Sequence, residues 1–197
     1  LNSDGIWCDE KISINSYQTK EHQFRTDVAK NFKGDYFDNL SNYYSIQVMD
    51  AEVSRTLDGV PHNGFILDIG GSWGWHWRNL SSQRPDVNVL IVDFVYENLI
   101  QAKELLSTYK NNNVYFLYAD ATKMPICNEV FSLVWAVQSF QHIPDISSVL
   151  KNVKKILCVG GTLKTYDFNY RFLEKIIYWV FGSFYKEKEE LDSYFLR

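Results

Sequence analysis

The stretch "ILDIGGSWGWHW", residues 66–77, ends an apolar run in an acid, Asp68, and follows it with glycines at 70, 71 and 74. Glycines spaced in this way let a backbone turn tightly and pass close to a ligand with no Cβ in the way. Three further polar devices come after it in order. Asp93 closes the apolar run "VNVLIVD", where a carboxylate can accept from both vicinal hydroxyls of a ribose. Asp120, in "YADATKMP", can accept from the 6-amino group of an adenine while the backbone N–H of Ala121 donates to a ring nitrogen. In "AVQSFQHIPD" an apolar run gives way to polar Gln138 and Ser139. Any one of these is weak, since strands often end in an exposed acid. Four in this order describe a pocket for an adenosine-bearing ligand.

Such residues act together only if the chain sets them along one edge. Short apolar runs at 65–68, 87–93, 114–118, 130–137 and 161–166 read as strands, the second nearly continuous, as suits a strand buried on both faces. Helical segments separate them. In 146–157 the positions Ile146, Val149, Leu150, Val153, Ile156 and Leu157 make one apolar face, and Gly160 and Gly161 follow in the place of a helix C-cap. Strand alternating with helix predicts an α/β fold, a Rossmann-like, mostly parallel sheet with helices on both faces. Ligands in such sheets sit at the carboxyl ends of the strands, where strand order reverses. The glycine loop then lies at the site, and the helix expected after it would turn unpaired N–H groups toward a carboxylate or phosphate. Residues 22–57 repeat apolar positions at helical spacing, broken near Gly34, which predicts two or three helices and few strands before the turn cluster "DGVPHNG" at 58–64. The resulting division is an N-terminal helical cap over 1–63, a cofactor-binding core over 64–168 and a helical extension over 169–197.

Two loop patterns compete. A dinucleotide GxGxxG loop needs glycine at 70, 72 and 75 and finds it only at 70. An acid followed by GxGxG finds Asp68, Gly70 and Gly74, with Ser72 in the centre. With the later devices in order, residues 64–166 resemble a class I S-adenosylmethionine-dependent methyltransferase, most closely the small-molecule subgroup typified by quinone-biosynthesis enzymes. The motifs that carry the resemblance are "ILDIGGSWG", "VLIVDFV", "ADATKMPICNEVFSLVWA", "QSFQHIPD" and "KKILCVGGTL". The resemblance implies that Asp68, Gly70, Gly71, Ser72 and Gly74 border the methionine part of S-adenosyl-L-methionine and that Asp93 holds its ribose. It places Asp120 and Ala121 on the adenine, Phe94 against the adenine ring, and Gln138 with Ser139 near the methionine end. Trp73 would wall the cofactor, while Trp75 and Trp77 would pack the core. Tyr43 and Tyr44 either cover the cofactor or serve as packing aromatics. S-adenosyl-L-homocysteine would be the product.

A sulfonium already activates its methyl group, so no fixed catalytic triad is required. His142 is the imidazole nearest a strand end; it is either a general base for an O- or N-methyl acceptor or a partner of backbone in the "HIPD" turn. His76 reads as structural or supporting. The 197 residues carry a formal net charge of −4, with a pI near 5.6, which favours a small-molecule acceptor over nucleic acid. A non-catalytic methyltransferase-like module is the alternative, and a nicotinamide oxidoreductase a third. Cys8, Cys127 and Cys158 form no paired motif and are expected to be buried or neutral thiols without metal. No apolar run is long enough to span a bilayer, and no signal-peptide pattern opens the chain, so a cytoplasmic protein is expected. In the tail, Ile176, Ile177, Val180, Phe181 and Phe184 share one helical face beside Trp179 and Tyr185, which suits packing on the domain, a lid over the acceptor pocket, a homodimer surface or interfacial contact by residues 172–185. The last two of the usual seven strands have no candidate in the sequence, and with the start at Leu1 this points to a segment of a longer protein.

Overall fold

Apolar runs buried from both sides pair most readily as inner strands, and they do so in the computed structural model, which describes residues 1–9, 12, 16–31 and 43–167. Its strands are β1 (Trp7–Cys8), β2 (Phe65–Ile69), β3 (Asn88–Asp93), β4 (Val114–Tyr118), β5 (Phe131–Val137) and β6 (Leu157–Tyr166). They form one all-parallel sheet in the order β1-β4-β3-β2-β5-β6. The α-helices are α1 (Ser16–Asn31), α2 (Tyr43–Asp58), α3 (Leu80–Gln83), α4 (Tyr96–Thr108) and α5 (Ile146–Ile156). From β2 the chain proceeds outward through β3 to β4, then returns to place β5 on the other side of β2. Strand order therefore reverses between β2 and β5, and it is outside the carboxyl ends of the strands at such a reversal that sheets of this kind bind their ligands.

Alternation along the strands divides the core into two layers. Ile66, Val89, Ile91, Leu133 and Trp135 pack with Val53 and Leu57 of α2 and with Leu99, Ala102 and Leu106 of α4. Leu67, Ile69, Val92, Val134 and Ala136 pack with Val149, Val153 and Ile156 of α5. Of the face that periodicity predicts for α5, Val149, Val153 and Ile156 are buried, whereas Ile146 and Leu150 are exposed. Asp145 caps its start by accepting from the Ser148 N–H at 3.0 Å.

Four expectations need correction. First, residues 1–63 contain a strand. β1 is only two residues, too short for any alternation to show, and it pairs with Leu117 and Tyr118. Asn2 sets it up, since its Oδ1 accepts from the Ile6 N–H at 2.9 Å. Second, Gly160 and Gly161 do not cap α5 but lie inside β6. The strand begins directly at Leu157, and Gly160, at φ +79°, lies where the pairing with β5 shifts register. Third, the glycine loop leads not into a long helix but into a three-residue 3₁₀ turn, Trp75–Trp77, and the four-residue α3. Pro85 bars Arg84 from helical backbone, so the helix cannot continue. Fourth, the cysteines are free but not buried: Cys8 and Cys127 are exposed and Cys158 is half-buried.

The side chains of Tyr43 and Tyr44 and the whole of 169–197, with its apolar face, lie outside the described residues. Among those described, no helix is long and apolar enough to cross a membrane, and no cluster of three or more potential metal ligands occurs.

Candidate functional site

The loop after β2 is built from left-handed residues. Gly70 has φ +69°, Ser72 +48° and Gly74 +66°. An added Cβ would meet Ser139 Cβ at 2.6 Å from Gly70 and Ile91 Cδ1 at 2.6 Å from Gly74; from Gly71 it would strike the carboxylate of Asp68. The glycine spacing thus answers three separate packings, against the loop after β5, against β3 and against the acid of β2. Ser72 holds left-handed backbone without being glycine, at a cost of roughly 1 kcal/mol. Its N–H donates to Asp93 Oδ2 at 3.0 Å, which anchors the loop to the end of β3.

Asp93 is 6% exposed, and its other oxygen accepts from the Val95 N–H at 2.8 Å. Burial pushes its carboxyl up to about 6, against the pull of the Val95 and Ser72 N–H groups, the Asn98 side chain and the positive Arg25. Asp68 is 1% exposed, and burial, with the nearby charge of Asp93, pushes it up to about 7. It is steadied by the Trp77 indole N–H, which donates to Oδ2 at 2.7 Å. Trp77 is therefore a core residue, as its position predicts, and also the partner of a buried acid.

On the opposite side of β2, Gln138 is exposed at φ +50° and its N–H donates to the Tyr166 carbonyl at 2.9 Å. Ser139 is buried against Gly70, and its Oγ has no hydrogen-bond partner. His142 donates its backbone N–H to the Ser139 carbonyl at 3.0 Å, while its ring Nε2 lies 3.1 Å from Arg25 Nη2 and 3.1 Å from Gln141 Nε2. Guanidinium nitrogens only donate, so Nε2 is the acceptor in this pair. Its lone pair can take another proton only when Arg25 and the Gln141 amide N–H both withdraw.

At the end of β4, Asp120 Oδ1 accepts from the N–H and the hydroxyl of Thr122, each at 2.8 Å. Asn152 of α5 donates to the Thr122 carbonyl at 2.7 Å and fixes this turn. The turn joins the rest through Ala119, whose N–H donates to the Asp93 carbonyl at 3.2 Å. Phe94, next to Asp93, faces the His22 ring of α1 at 5.8 Å. Trp73 is half-buried in the glycine loop. His76 is 7% exposed, with both ring nitrogens unpaired, and burial and Arg78 lower its pKa to about 3. Its ring lies 4.2 Å from that of Trp75 and 6.0 Å from that of Trp135, so it stays neutral among aromatics.

The sequence reading missed three residues here. Asp167, just past β6, accepts from the Phe140 N–H at 3.2 Å; burial raises its carboxyl above the ordinary value, against the pull of the Phe140, Gln141 and Ser139 N–H groups. The signal was present, an acid at a strand end, as for Asp93. His22 and Arg25 lie on a helix read only for its apolar spacing, where polar contacts leave no mark.

Comparison with known proteins agrees with this geometry. Residues 66–161 match the family model described as a methyltransferase domain. Malonyl-[acyl-carrier protein] O-methyltransferase of Buchnera aphidicola is 29% identical over 128 residues, 62% of this chain and 47% of that protein. The 27-O-demethylrifamycin SV methyltransferase of Amycolatopsis mediterranei is 38% identical over 52% of this chain and 38% of its own. Demethylmenaquinone methyltransferase of Staphylococcus carnosus is 24% identical over 88% of this chain and 75% of its own. This chain thus spans half or less of the length of the first two. The crystal structure of a SAM-dependent methyltransferase from Aquifex aeolicus superposes with a TM-score of 0.59 at 18% identity, over 77% of this chain and 88% of that one.

Proposed function

Residues 66–161 belong to the class I S-adenosylmethionine-dependent methyltransferases, and on that premise we propose that the protein transfers a methyl group from S-adenosyl-L-methionine to a small-molecule acceptor. The observation that carries the reading is the meeting of the glycine loop with Asp93 on one side and Ser139 on the other, at the reversal of strand order. An adenosine-bearing ligand suits these residues. Asp93 is already oriented by two backbone N–H groups, and the unpaired Ser139 Oγ lies buried beside Gly70.

In this reading Asp93 receives the ribose hydroxyls, and Phe94 lies against the adenine. Asp120 and the Ala121 N–H take the adenine edge. Asp68, Gly70, Gly71, Ser72, Trp73 and Gly74 shape the methionine end together with Gln138 and Ser139, and Tyr43 and Tyr44 belong to the covering segment. The cofactor supplies a methyl group made electrophilic by its sulfonium. The chain's own part is to orient donor and acceptor in line and to exclude water. His142 takes a proton from the acceptor once Arg25 and Gln141 release its Nε2. Residues 1–63 serve as cap, 64–168 as the cofactor-binding core and 169–197 as a C-terminal extension. A small acceptor is favoured by the net charge of −4. The relatives are named for a malonyl carrier protein, a rifamycin and a menaquinone, so the acceptor differs even among them.

Titration calorimetry with S-adenosyl-L-homocysteine tests the reading. Binding that weakens at least about tenfold in Asp93→Ala is expected. No binding to the unsubstituted protein overturns it.

A further inference from the structure

Beneath the glycine loop, an acid meets an indole in a layer closed to water. Asp68 stands level with Ile91 of β3 and Trp135 of β5, so these three side chains point to the same face of the sheet, the one packed against α2 and α4. Asp68 is 1% exposed, and Trp77 and Trp135 are fully buried. The Trp77 ring lies 5.7 Å from that of Trp135, at 67°, and its N–H donates to Asp68 Oδ2 at 2.7 Å. Gly71 rests on that same oxygen, which an added Cβ would strike. Contacts thus run without a break from β5 through the indole and the acid to the loop.

An indole N–H can only donate, so it binds a charged carboxylate more strongly than a neutral one. Burial works against that charge, and Asp93 at the end of β3 adds a like charge. Two other ionisable groups belong to this face. His76 stays neutral beside Trp135, and Lys164, level with Trp135, is turned to Thr56 of α2, donating to its Oγ1 at 2.8 Å. Among the described residues, the Trp77 N–H is what favours the charged form of Asp68.

We propose that Trp77 is a positioning residue for the glycine loop, holding Asp68 in its charged form under Gly71. The inference rests on the S-adenosylmethionine reading above. Fully buried, Trp77 acts through Asp68 and touches no ligand. A negative charge beneath the loop favours a ligand that carries a sulfonium cation, and protonation of Asp68 removes that attraction. The indole therefore sets the pH range over which the loop holds its cofactor well.

Two measurements test this. By NMR, the Trp77 indole N–H resonance is expected to titrate with Asp68, at a midpoint of about 7, and to lose that titration in Asp68→Asn. By calorimetry, the affinity for S-adenosyl-L-methionine is expected to rise about threefold or more as Asp68 ionises. In Trp77→Phe, which keeps an aromatic ring without the N–H, that rise is expected to move up by about one pH unit. An equal loss of affinity at every pH would make Trp77 a packing residue alone and overturn the proposal, as would an unshifted profile. An indole resonance that does not titrate overturns it too, and decides the matter by itself if Trp77→Phe does not fold. Failure of the unsubstituted protein to bind S-adenosyl-L-methionine at any pH overturns the cofactor reading itself, and this proposal with it.

Discussion

Ser72 shows what a single side chain decides. It holds φ +48°, a left-handed value that glycine adopts freely, because its N–H must reach Asp93. Ser72→Gly is expected to stabilise the fold by about 1 kcal/mol, a rise of roughly 2–4 °C in the thermal midpoint for a chain this size. A fall in that midpoint would show that the serine side chain contributes more than its backbone costs. Much at this scale was legible beforehand. Asp68, Asp93 and Asp120 announce themselves as acids that end apolar runs. The contact of Trp77 with Asp68 was not legible, because nothing in the spacing of the two residues tells an indole N–H which acid it will meet. The unpaired nitrogens of His76 depend likewise on rings brought from β5.

At the scale of elements, the strands inside the sheet were the easiest to read, since burial on both faces writes an apolar run into the sequence. β4 falls on 114–118 as expected. Two other elements follow contacts that no local pattern records. β1 exists because β4 offers it an edge, and the segment after the glycine loop is cut short by Pro85. The loop after β5 depends on a neighbour too. Asp167 gathers its N–H groups and so sets where Gln138 and Ser139 stand. Removing that acceptor in Asp167→Ala is expected to cost about 1 kcal/mol in chemical denaturation and to weaken S-adenosyl-L-homocysteine binding. Full affinity in this variant would mean that the turn keeps its shape without the acid.

For the molecule as a whole, stability should carry the mark of two buried acids. Asp68 at about 7 and Asp93 at about 6 both stand above their unfolded value of 3.8. Between that value and the folded ones, the native state holds more protons than the unfolded chain. The stability these groups contribute therefore declines as pH rises from about 4 to 7. His76 works in the opposite sense: held at about 3 against 6.5, it lets stability rise over the acid range. The two slopes overlap, so the clean measurement is a difference. Asp68→Asn is expected to be more stable relative to the unsubstituted protein at pH 8 than at pH 5, by about 1 kcal/mol or more. A gap that does not change with pH would mean that Asp68 ionises in the fold much as it does in the open chain.

On the proposed cofactor reading, the same pair of acids, of which Asp68 feels the charge of Asp93, has a consequence for how the site tells a fresh donor from a spent one. The donor carries a sulfonium cation, and the thioether left behind is neutral at sulfur. Once Asp68 and Asp93 have both lost their protons, the pocket holds two negative charges, of which Arg25 offsets one, and it should grip the cation and let the neutral product go. In acid that distinction fades. The ratio of affinities for S-adenosyl-L-methionine over S-adenosyl-L-homocysteine is accordingly expected to climb between pH 5.5 and 8, as both carboxyls pass their values of about 6 and about 7. A flat ratio would mean that the acids are too well shielded to be felt at the sulfur. A climbing one would make product inhibition a matter of acidity, strongest when the surroundings turn sour and relieved as they recover.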